Sequence, residues 1–155
     1  MHRPIQVRRC QVSEIIDLRW RILRAGLARE TAFFDGDNEP TTYHFAAEDV
    51  GRIVGCATLL RRLWQDMPAW QLRGMAVEPA LQGRGVGSLL LKMVDQTVRL
   101  ESHSMQLWCN ARSPAVQFYR KSCWETFGDE FDIPTAGPHL KMTKLLTKAD
   151  RITSA

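Results

Sequence analysis

The sequence contains no apolar run that approaches the ~20 residues a membrane-spanning helix requires. Its first residues, Met1-His2-Arg3-Pro4, lead directly into Ile5-Gln6-Val7 without the apolar segment of a secretion signal. We therefore expect a cytoplasmic protein with no membrane partner. No internal repeat, low-complexity segment or interdomain linker interrupts the 155 residues, which predicts a single domain over residues 1–155.

Cysteine is scarce and scattered, because the four cysteines form no Cys-x-x-Cys pair. Such spacing is unlike that of a zinc site or of the disulfide framework of a small secreted domain. Cys10, Cys56 and Cys109 lie in segments with the pattern of strands, where cysteine is usually a small buried hydrophobic residue. We predict neither a metal site nor disulfide bonds.

Long stretches of basic residues are also missing. The net charge of +4 is dispersed along the chain, and its largest cluster is Arg61-Arg62. This charge is too small to predict a nucleic-acid partner, although it suits an anionic cofactor. A composition of 45% hydrophobic and 25% charged residues predicts a packed core rather than disorder.

Apolar periodicity divides the chain into seven predicted strands and three predicted helices. The helices are predicted at 13–24 and 113–121, with Ser13 and Ser113 as N-caps, and from about Leu89 onward. Residues 28–42 form a long loop with room for one helical turn. This order is neither a βαβ alternation nor all-β, so it predicts a mixed α/β sheet covered by helices. The strands are predicted at 5–9, 43–48, 52–63, 72–77, 104–109, 124–131 and 139–146.

The most informative stretch is Gln82-Gly83-Arg84-Gly85-Val86-Gly87-Ser88, between the 72–77 strand and the helix that follows it. Glycines at three alternate positions let the backbone approach a ligand closely and turn its N–H groups toward it. The start of the helix adds unpaired N–H donors and the positive end of its dipole. The segment therefore predicts an anion site, and phosphate is the usual anion. A plain turn would need one glycine rather than three.

Two common phosphate motifs do not fit this segment. The dinucleotide fingerprint G-x-G-x-x-G lacks its last glycine, whether counted from Gly83 or from Gly85, and a P-loop would need Gly-Lys-Ser/Thr. The residues instead match Q-x-x-G-x-G through Gln82, Gly85 and Gly87, after a strand and Pro79. This pattern resembles the acetyl-CoA motif of the GNAT superfamily of N-acetyltransferases.

The resemblance covers essentially the whole chain and implies a central mixed, mostly antiparallel, twisted sheet flanked by helices. It also implies acetyl-CoA as cosubstrate, with the pantetheine along the 72–77 strand and the pyrophosphate at the glycine-rich segment. A backbone N–H of Met75 or Ala76 would polarise the thioester carbonyl. The cofactor-binding residues implied in this way are Met75, Ala76, Val77, Gln82, Gly83, Arg84, Gly85, Val86, Gly87, Ser88 and Asn110.

A second stretch, residues 110–121, is similar to the family signature N-x-x-A-x-x-F-Y-x-K with one inserted residue. The resemblance makes Tyr119 the catalytic acid that protonates the departing thiolate, and places Asn110, just past the predicted strand, at the pantetheine. The residues alone are equally explained as one packed helix face. Cys123 stands where the family usually has glycine, at a position where a left-handed conformation costs an ordinary residue ~1–2 kcal/mol.

The resemblance therefore implies an N-acetyltransferase that transfers the acetyl group of acetyl-CoA to an amine of a small molecule or peptide. Direct attack in a ternary complex is implied, since no cysteine matches the expected thioester position. The alternative is a non-catalytic acyl-CoA-binding sensor module. Formation of a homodimer is left open.

The general base is not evident, because the acid that many relatives carry on the central strand is missing from residues 71–77. Of the candidate bases, one histidine would either face the acceptor or lie in a water-exposed turn. Three arginines are candidates for binding an anionic group of the acceptor, with plain surface charge as the alternative. The candidate bases are Glu30, His44, Glu48 and His139. His139 is the histidine that would either face the acceptor or lie in a water-exposed turn. The three arginines are Arg61, Arg62 and Arg73.

Overall fold

The structure is a computed structural model that describes residues 4–147, so both ends of the predicted 1–155 domain lie outside the described residues. Three α-helices occur in this part of the chain: α1 Ile16–Leu23, α2 Val86–Leu100 and α3 Val116–Lys121. Seven strands accompany them: β1 Gln6–Cys10, β2 Tyr43–Asp49, β3 Arg52–Arg61, β4 Trp70–Val77, β5 Gln106–Arg112, β6 Glu125–Ile133 and β7 Gly137–Leu145.

Hydrogen bonds join the strands into one sheet in the order β1-β2-β3-β4-β5-β7-β6. The β1–β2, β2–β3, β5–β7 and β6–β7 pairs are antiparallel. β4 and β5 are parallel, and their register runs from Trp70–Leu107 to Leu72–Cys109. The predicted mixed, mostly antiparallel sheet with flanking helices is confirmed. None of the helices in the described part of the chain has the length and apolar character that crossing a bilayer requires.

Contacts divide the described chain into two compact units. The first comprises residues 4–60 and 73–94, with β1 to β3, most of β4, α1 and the first part of α2. One face of its strands packs on α1, because alternate strand residues meet the apolar stripe of the helix. The buried residues of this core are Ile15, Leu18, Ala46, Cys56 and Ala76.

The second unit comprises residues 61–72 and 95–147, with β5, β6, β7, α3 and the rest of α2. Alternate residues of β5 are buried, namely Leu107, Cys109 and Ala111, while Trp108 and Asn110 between them are half-buried. On β7, Lys144 Nζ donates to Asp95 of α2 over 2.7 Å.

Both predicted serine N-caps are wrong. Ser13 lies inside a 3-10 turn, Val12–Glu14, and the Gln11 N–H is instead satisfied by the Glu14 carboxylate at 2.8 Å. Ser113 likewise lies inside a 3-10 turn, and its hydroxyl donates to Glu130 over 2.9 Å. In both places a tight turn precedes the α-helix, which therefore begins three residues later than predicted.

Two strand boundaries also differ from the prediction in ways that matter for the site. Asn110 lies within β5 rather than past it, because the ladder with β7 continues to the Arg112–His139 pair. His139 is 4% exposed, so an exposed turn histidine is wrong. The β6–β7 turn is made earlier, where the Ala136 N–H donates to the carbonyl of Ile133.

Candidate active site

The glycine-rich segment forms a tight turn that leads into α2. Gly83 and Gly85 have φ of +81° and +85°, a conformation that L-residues rarely adopt. A Cβ at either position would have no atom within 4 Å, so the backbone here is open to an approaching ligand. The first N–H of α2 with a main-chain acceptor is that of Leu89, which donates to the carbonyl of Gly85 over 3.0 Å.

The last part of the predicted loop is helical instead. Val86, Gly87 and Ser88 form the first turn of α2, and Val86 and Gly87 are buried. Their N–H groups precede the Leu89 bond and so belong to the open end of a 15-residue helix. The anion-binding features therefore combine a two-glycine turn with a helix N-terminus, rather than a seven-residue loop.

Gly55 on β3 positions the start of α2, although it was not predicted as a site residue. A Cβ at Gly55 would lie 3.0 Å from Val86 Cγ1 and 3.1 Å from Leu90 Cδ1. Glycine at this position thus lets the helix approach the strand closely. An isolated glycine inside a strand is a signal of such close approach.

The end of β4 is fixed by contacts to Glu78 and Gln82. The Glu78 N–H donates to the carbonyl of Val54 at 2.8 Å, and Arg21 Nη2 donates to Glu78 Oε1 at 2.6 Å. This hydrogen bond lowers the pKa of Glu78, which stays ionised at neutral pH. The Gln82 side chain donates to the carbonyl of Val77 over 3.3 Å. The turn therefore starts from a defined position.

A buried network lies beside β4 in the same unit. Arg19 is fully buried and forms two hydrogen bonds with Asp37, at 2.7 and 3.0 Å. Arg19 also donates to the Thr58 hydroxyl at 2.6 Å, and that hydroxyl lies 2.8 Å from His44 Nδ1. Gly74, with φ of +62°, makes room for this network, since a Cβ there would lie 3.1 Å from Arg19 Nε.

The hydrogen bonds of this network determine which ring nitrogen of His44 carries the proton. Its Nε2 lies 2.9 Å from the carbonyl of Asp37, which can only accept, so Nε2 carries the proton. Nδ1 then accepts from the Thr58 hydroxyl. Burial lowers the pKa of His44, which agrees with a neutral ring. Both nitrogens are engaged, so His44 serves to hold the 32–42 segment in place.

The other candidate bases occupy different surroundings. Glu30 is exposed on the 3-10 turn Arg29–Ala32, and Glu48 accepts hydrogen bonds from Arg8. His139 Nδ1 lies 2.8 Å from the carbonyl of Gly137. No residue of β4 from 71 to 77 is acidic.

Tyr119 is buried in the second unit. Its ring lies 5.1 Å from the Phe118 ring and 5.5 Å from the Trp124 ring, measured between centroids. Burial raises the pKa of the Tyr119 hydroxyl, which is therefore protonated at any physiological pH. Asn110, on β5, is half-buried, and its Oδ1 accepts a hydrogen bond from Lys141 Nζ over 3.1 Å.

Helix α3 ends at a left-handed Cys123, with φ of +70°. The Cys123 N–H donates to the carbonyl of Arg120 and the Trp124 N–H to that of Tyr119, at 3.0 and 3.2 Å. This is a Schellman motif, and the Tyr119–Trp124 ring contact is its usual hydrophobic partner. Cys123 thus adopts the strained left-handed conformation at the position where the family usually has glycine.

The sequence profile of the "Acetyltransferase (GNAT) domain" family matches residues 40–122 of this chain, which include β2 to β5, α2 and α3. The chain belongs to the GNAT acetyltransferase family. A curated relative, the uncharacterized N-acetyltransferase YitI of Bacillus subtilis, is 30% identical over 145 residues. That alignment covers 92% of this chain and 97% of the relative.

Solved structures share the GNAT fold. Escherichia coli ElaA has a TM-score of 0.73 at 16% identity, and the match covers 91% of this chain and 99% of ElaA. An aminoglycoside 6'-N-acetyltransferase complexed with coenzyme A has a TM-score of 0.72 at 13% identity, covering 90% and 96%. As a GNAT enzyme, the protein uses acetyl-CoA as cosubstrate and transfers its acetyl group to an amine.

The site residues predicted from the sequence therefore form two groups, one in each compact unit. Met75, Ala76 and Val77 end β4, and the segment from Gln82 to Ser88 lies between β4 and the first turn of α2, in the first unit. Asn110 and Tyr119 belong to β5 and α3 of the second unit. Arg84 is exposed in the turn.

Proposed function

We propose that the pyrophosphate of acetyl-CoA binds at the turn and helix start formed by Gln82 to Ser88. The open, left-handed Gly83 and Gly85 directly before α2 carry this proposal. N–H groups of the turn and of the first helical turn would bind the phosphate oxygens, and the helix dipole favours the negative charge. The exposed Arg84 adds a positive charge beside them.

The proposal assigns the pantetheine to the end of β4. Met75, Ala76 and Val77 lie beyond the last pair of the β4–β5 ladder, Leu72–Cys109, so this ladder does not use their main-chain groups. Groups of Met75 and Val77 would bond to the pantetheine amides, and an N–H of Met75 or Ala76 would polarise the thioester carbonyl. Asn110 is proposed as a further pantetheine contact.

In the proposed reaction, the nitrogen of a neutral amine attacks the thioester carbon directly and forms the amide bond. The carbon–sulfur bond breaks, the thiolate takes the proton of the Tyr119 hydroxyl, and the resulting tyrosinate regains a proton from water before the next turnover. The extra proton on nitrogen leaves to water, because no acid lies on β4 from 71 to 77. A lysine-like ammonium has a pKa of ~10.4, so the loss of its proton before attack limits the rate at neutral pH.

The acceptor is proposed to be a small-molecule or peptide amine. The match to an aminoglycoside enzyme concerns the fold, and no comparison favours the sensor alternative. A cytoplasmic location and the absence of nucleic-acid and membrane partners stay predictions, and formation of a homodimer stays open.

Release of CoA thiol from acetyl-CoA, with a panel of amines, tests this function. We expect turnover with some amines, and a kcat lower by ~10²–10⁴-fold in Tyr119→Phe at unchanged CoA affinity, because only the proton donor is lost. Phe118→Tyr, an added hydroxyl on the neighbouring ring, is the control for effects of repacking. An unchanged kcat in Tyr119→Phe would leave Tyr119 as core packing, and no turnover with any amine would contradict the proposed reaction.

A further inference from the structure

One face of the second unit carries a cluster of aromatic rings around Lys141. Residues directly opposite in an antiparallel ladder share a face, which places Asn110, Lys141 and Phe127 together. Trp108 and Phe131 lie on the same face by strand alternation, and Trp64 packs against it. We call Trp64, Trp108, Phe127, Phe131 and Lys141 the aromatic face.

Lys141 is a half-buried cation that has no carboxylate partner among the described residues. Its ammonium lies 5.2 Å from the centre of the Trp108 ring and 5.3 Å from that of the Phe131 ring. Its hydrogen bond goes to the neutral Oδ1 of Asn110. Ring faces and an amide compensate the desolvated charge only partly, so the site favours an added anion.

The two carboxylates in the irregular part of β6 are directed elsewhere or exposed. Glu130 accepts from the Ser113 hydroxyl, and Asp129 is exposed in the irregular part of β6. On the other face of β7, Lys144 is paired with Asp95 at 2.7 Å. Of these two lysines on β7, Lys144 thus has a carboxylate counter-ion within residues 4–147, and Lys141 has none there.

The rings around Lys141 offer an apolar surface. The Trp64 ring lies 5.5 Å from Trp108 and 5.0 Å from Phe127, the latter edge to face. The Trp108 indole is held by its N–H, which donates to the carbonyl of Arg62 over 3.2 Å. Phe127 is 47% exposed, so a planar group can reach the cluster from solvent.

The three arginines first considered for an anion have other partners. Arg61 lies over the Trp70 ring, Arg62 donates to the carbonyl of Arg61, and Arg73 donates to that of Asp35. Lys141, in contrast, contacts Asn110, a residue already proposed at the pantetheine.

We propose that the aromatic face is the acceptor subsite and selects amines that carry a carboxylate and an aromatic group. The carboxylate binds Lys141 and the ring packs against Trp64 and Phe127. This inference rests on the proposed function, because it names the acceptor class of the same site.

Matched ligands test the proposal without turnover. Binding of L-phenylalanine, L-phenylalaninamide and L-alanine is measured by calorimetry and by tryptophan fluorescence, with CoA present. We expect phenylalanine to bind about 10- to 100-fold more tightly than its amide, as for a partly buried charge-assisted hydrogen bond. It should also bind about 2- to 10-fold more tightly than alanine through packing of its ring.

Binding to variants then tests which residues cause the preferences for the carboxylate and for the aromatic ring. Lys141→Met should remove the preference for the acid, Lys141→Arg should keep it, and Lys92→Met, an exposed lysine on α2, should leave it unchanged. Phe127→Ala should reduce only the preference for the aromatic ligand. Near-ultraviolet circular dichroism confirms that each variant is folded.

The outcomes separate this proposal from the proposed function. Equal binding of acid and amide by the unmodified protein, no measurable binding of the acid, or a preference that survives in Lys141→Met overturns the proposal. Acetylation of other amines without an acid preference leaves the proposed function standing. Lys141-dependent binding of the acid without release of CoA thiol from acetyl-CoA supports the subsite and contradicts acetyl transfer to this amine.

Discussion

At the scale of single residues, Cys123 shows how the chain accepts local strain. Its left-handed conformation lets two N–H groups close the C-terminus of α3, and it brings the Trp124 ring against Tyr119. A residue with a Cβ pays ~1–2 kcal/mol for this conformation. The strain is therefore located beside the proposed catalytic acid.

We predict that Cys123→Gly stabilises the protein by about 0.5–1 kcal/mol. The relief of the left-handed strain exceeds the extra entropy that glycine gains in the unfolded chain. The measurement is the free energy of unfolding in urea, and Cys123→Ala, which keeps the Cβ, should give no gain. Equal stability of the glycine and alanine variants would show that this conformation carries no strain.

Several residues of the site could be predicted from the sequence, because short-range spacing determines them. Gly83, Gly85 and the start of a helix are visible as a local pattern. Arg19, Asp37 and His44 were not recognised as a network, because their contacts join residues 7 to 39 positions apart. No local pattern encodes such a contact.

At the scale of elements, the Arg19–Asp37 pair holds the 32–42 segment against α1 and β3. Arg19 also donates to the carbonyl of Ala32 at 3.0 Å, and Asp37 accepts from the Phe34 N–H at 2.8 Å. The predicted single helical turn in this long loop is confirmed at Arg29–Ala32. The order of the segment thus depends on this buried ion pair together with the hydrogen bond between His44 and the Asp37 carbonyl.

We predict that Arg19→Met and Asp37→Asn each lower the free energy of unfolding by ~3–5 kcal/mol, because each leaves a buried partner unpaired. The double variant should cost ~1–3 kcal/mol less than the sum of the two. Urea titrations of the unmodified protein, the two single variants and the double variant provide this double-mutant cycle.

The exposed pair Arg29–Asp17, at 3.0 Å, provides the control. Arg29→Met should change the free energy of unfolding by less than ~1 kcal/mol. Single variants of the buried pair that cost no more than this would rule out the anchoring role of Arg19.

Helix boundaries were the least predictable elements. The apolar spacing of α2 is evident from Leu89 onward, but Val86 to Ser88 join the helix because Gly55 lets Val86 pack closely on β3. This contact links positions 31 residues apart, so the sequence pattern around the glycines could not reveal it.

At the scale of the whole molecule, the order of helices and strands along the chain was predicted from the sequence, because each element has its own apolar pattern. The position of β7 between β5 and β6 was not predicted. The seven strands were all predicted, with ends shifted by up to about three residues. The acceptor and the general base could not be predicted, since side chains from separate strands and turns determine both.

The central claim is that acetyl-CoA binds at the turn before α2, and calorimetry of CoA binding to Gly85→Asp tests it most directly. The added carboxylate would stand in open space beside the proposed pyrophosphate, where bulk and like charge both oppose binding. Gly51→Asp is the matched control, because Gly51 also has a positive φ, of +75°, and open surroundings, in the β2–β3 turn.

We predict that the unmodified protein and Gly51→Asp bind CoA with similar affinity, while Gly85→Asp binds roughly 100-fold more weakly or not at all, a loss of ~2.7 kcal/mol or more. Binding of CoA to Gly85→Asp at close to the affinity of the unmodified protein would contradict the account.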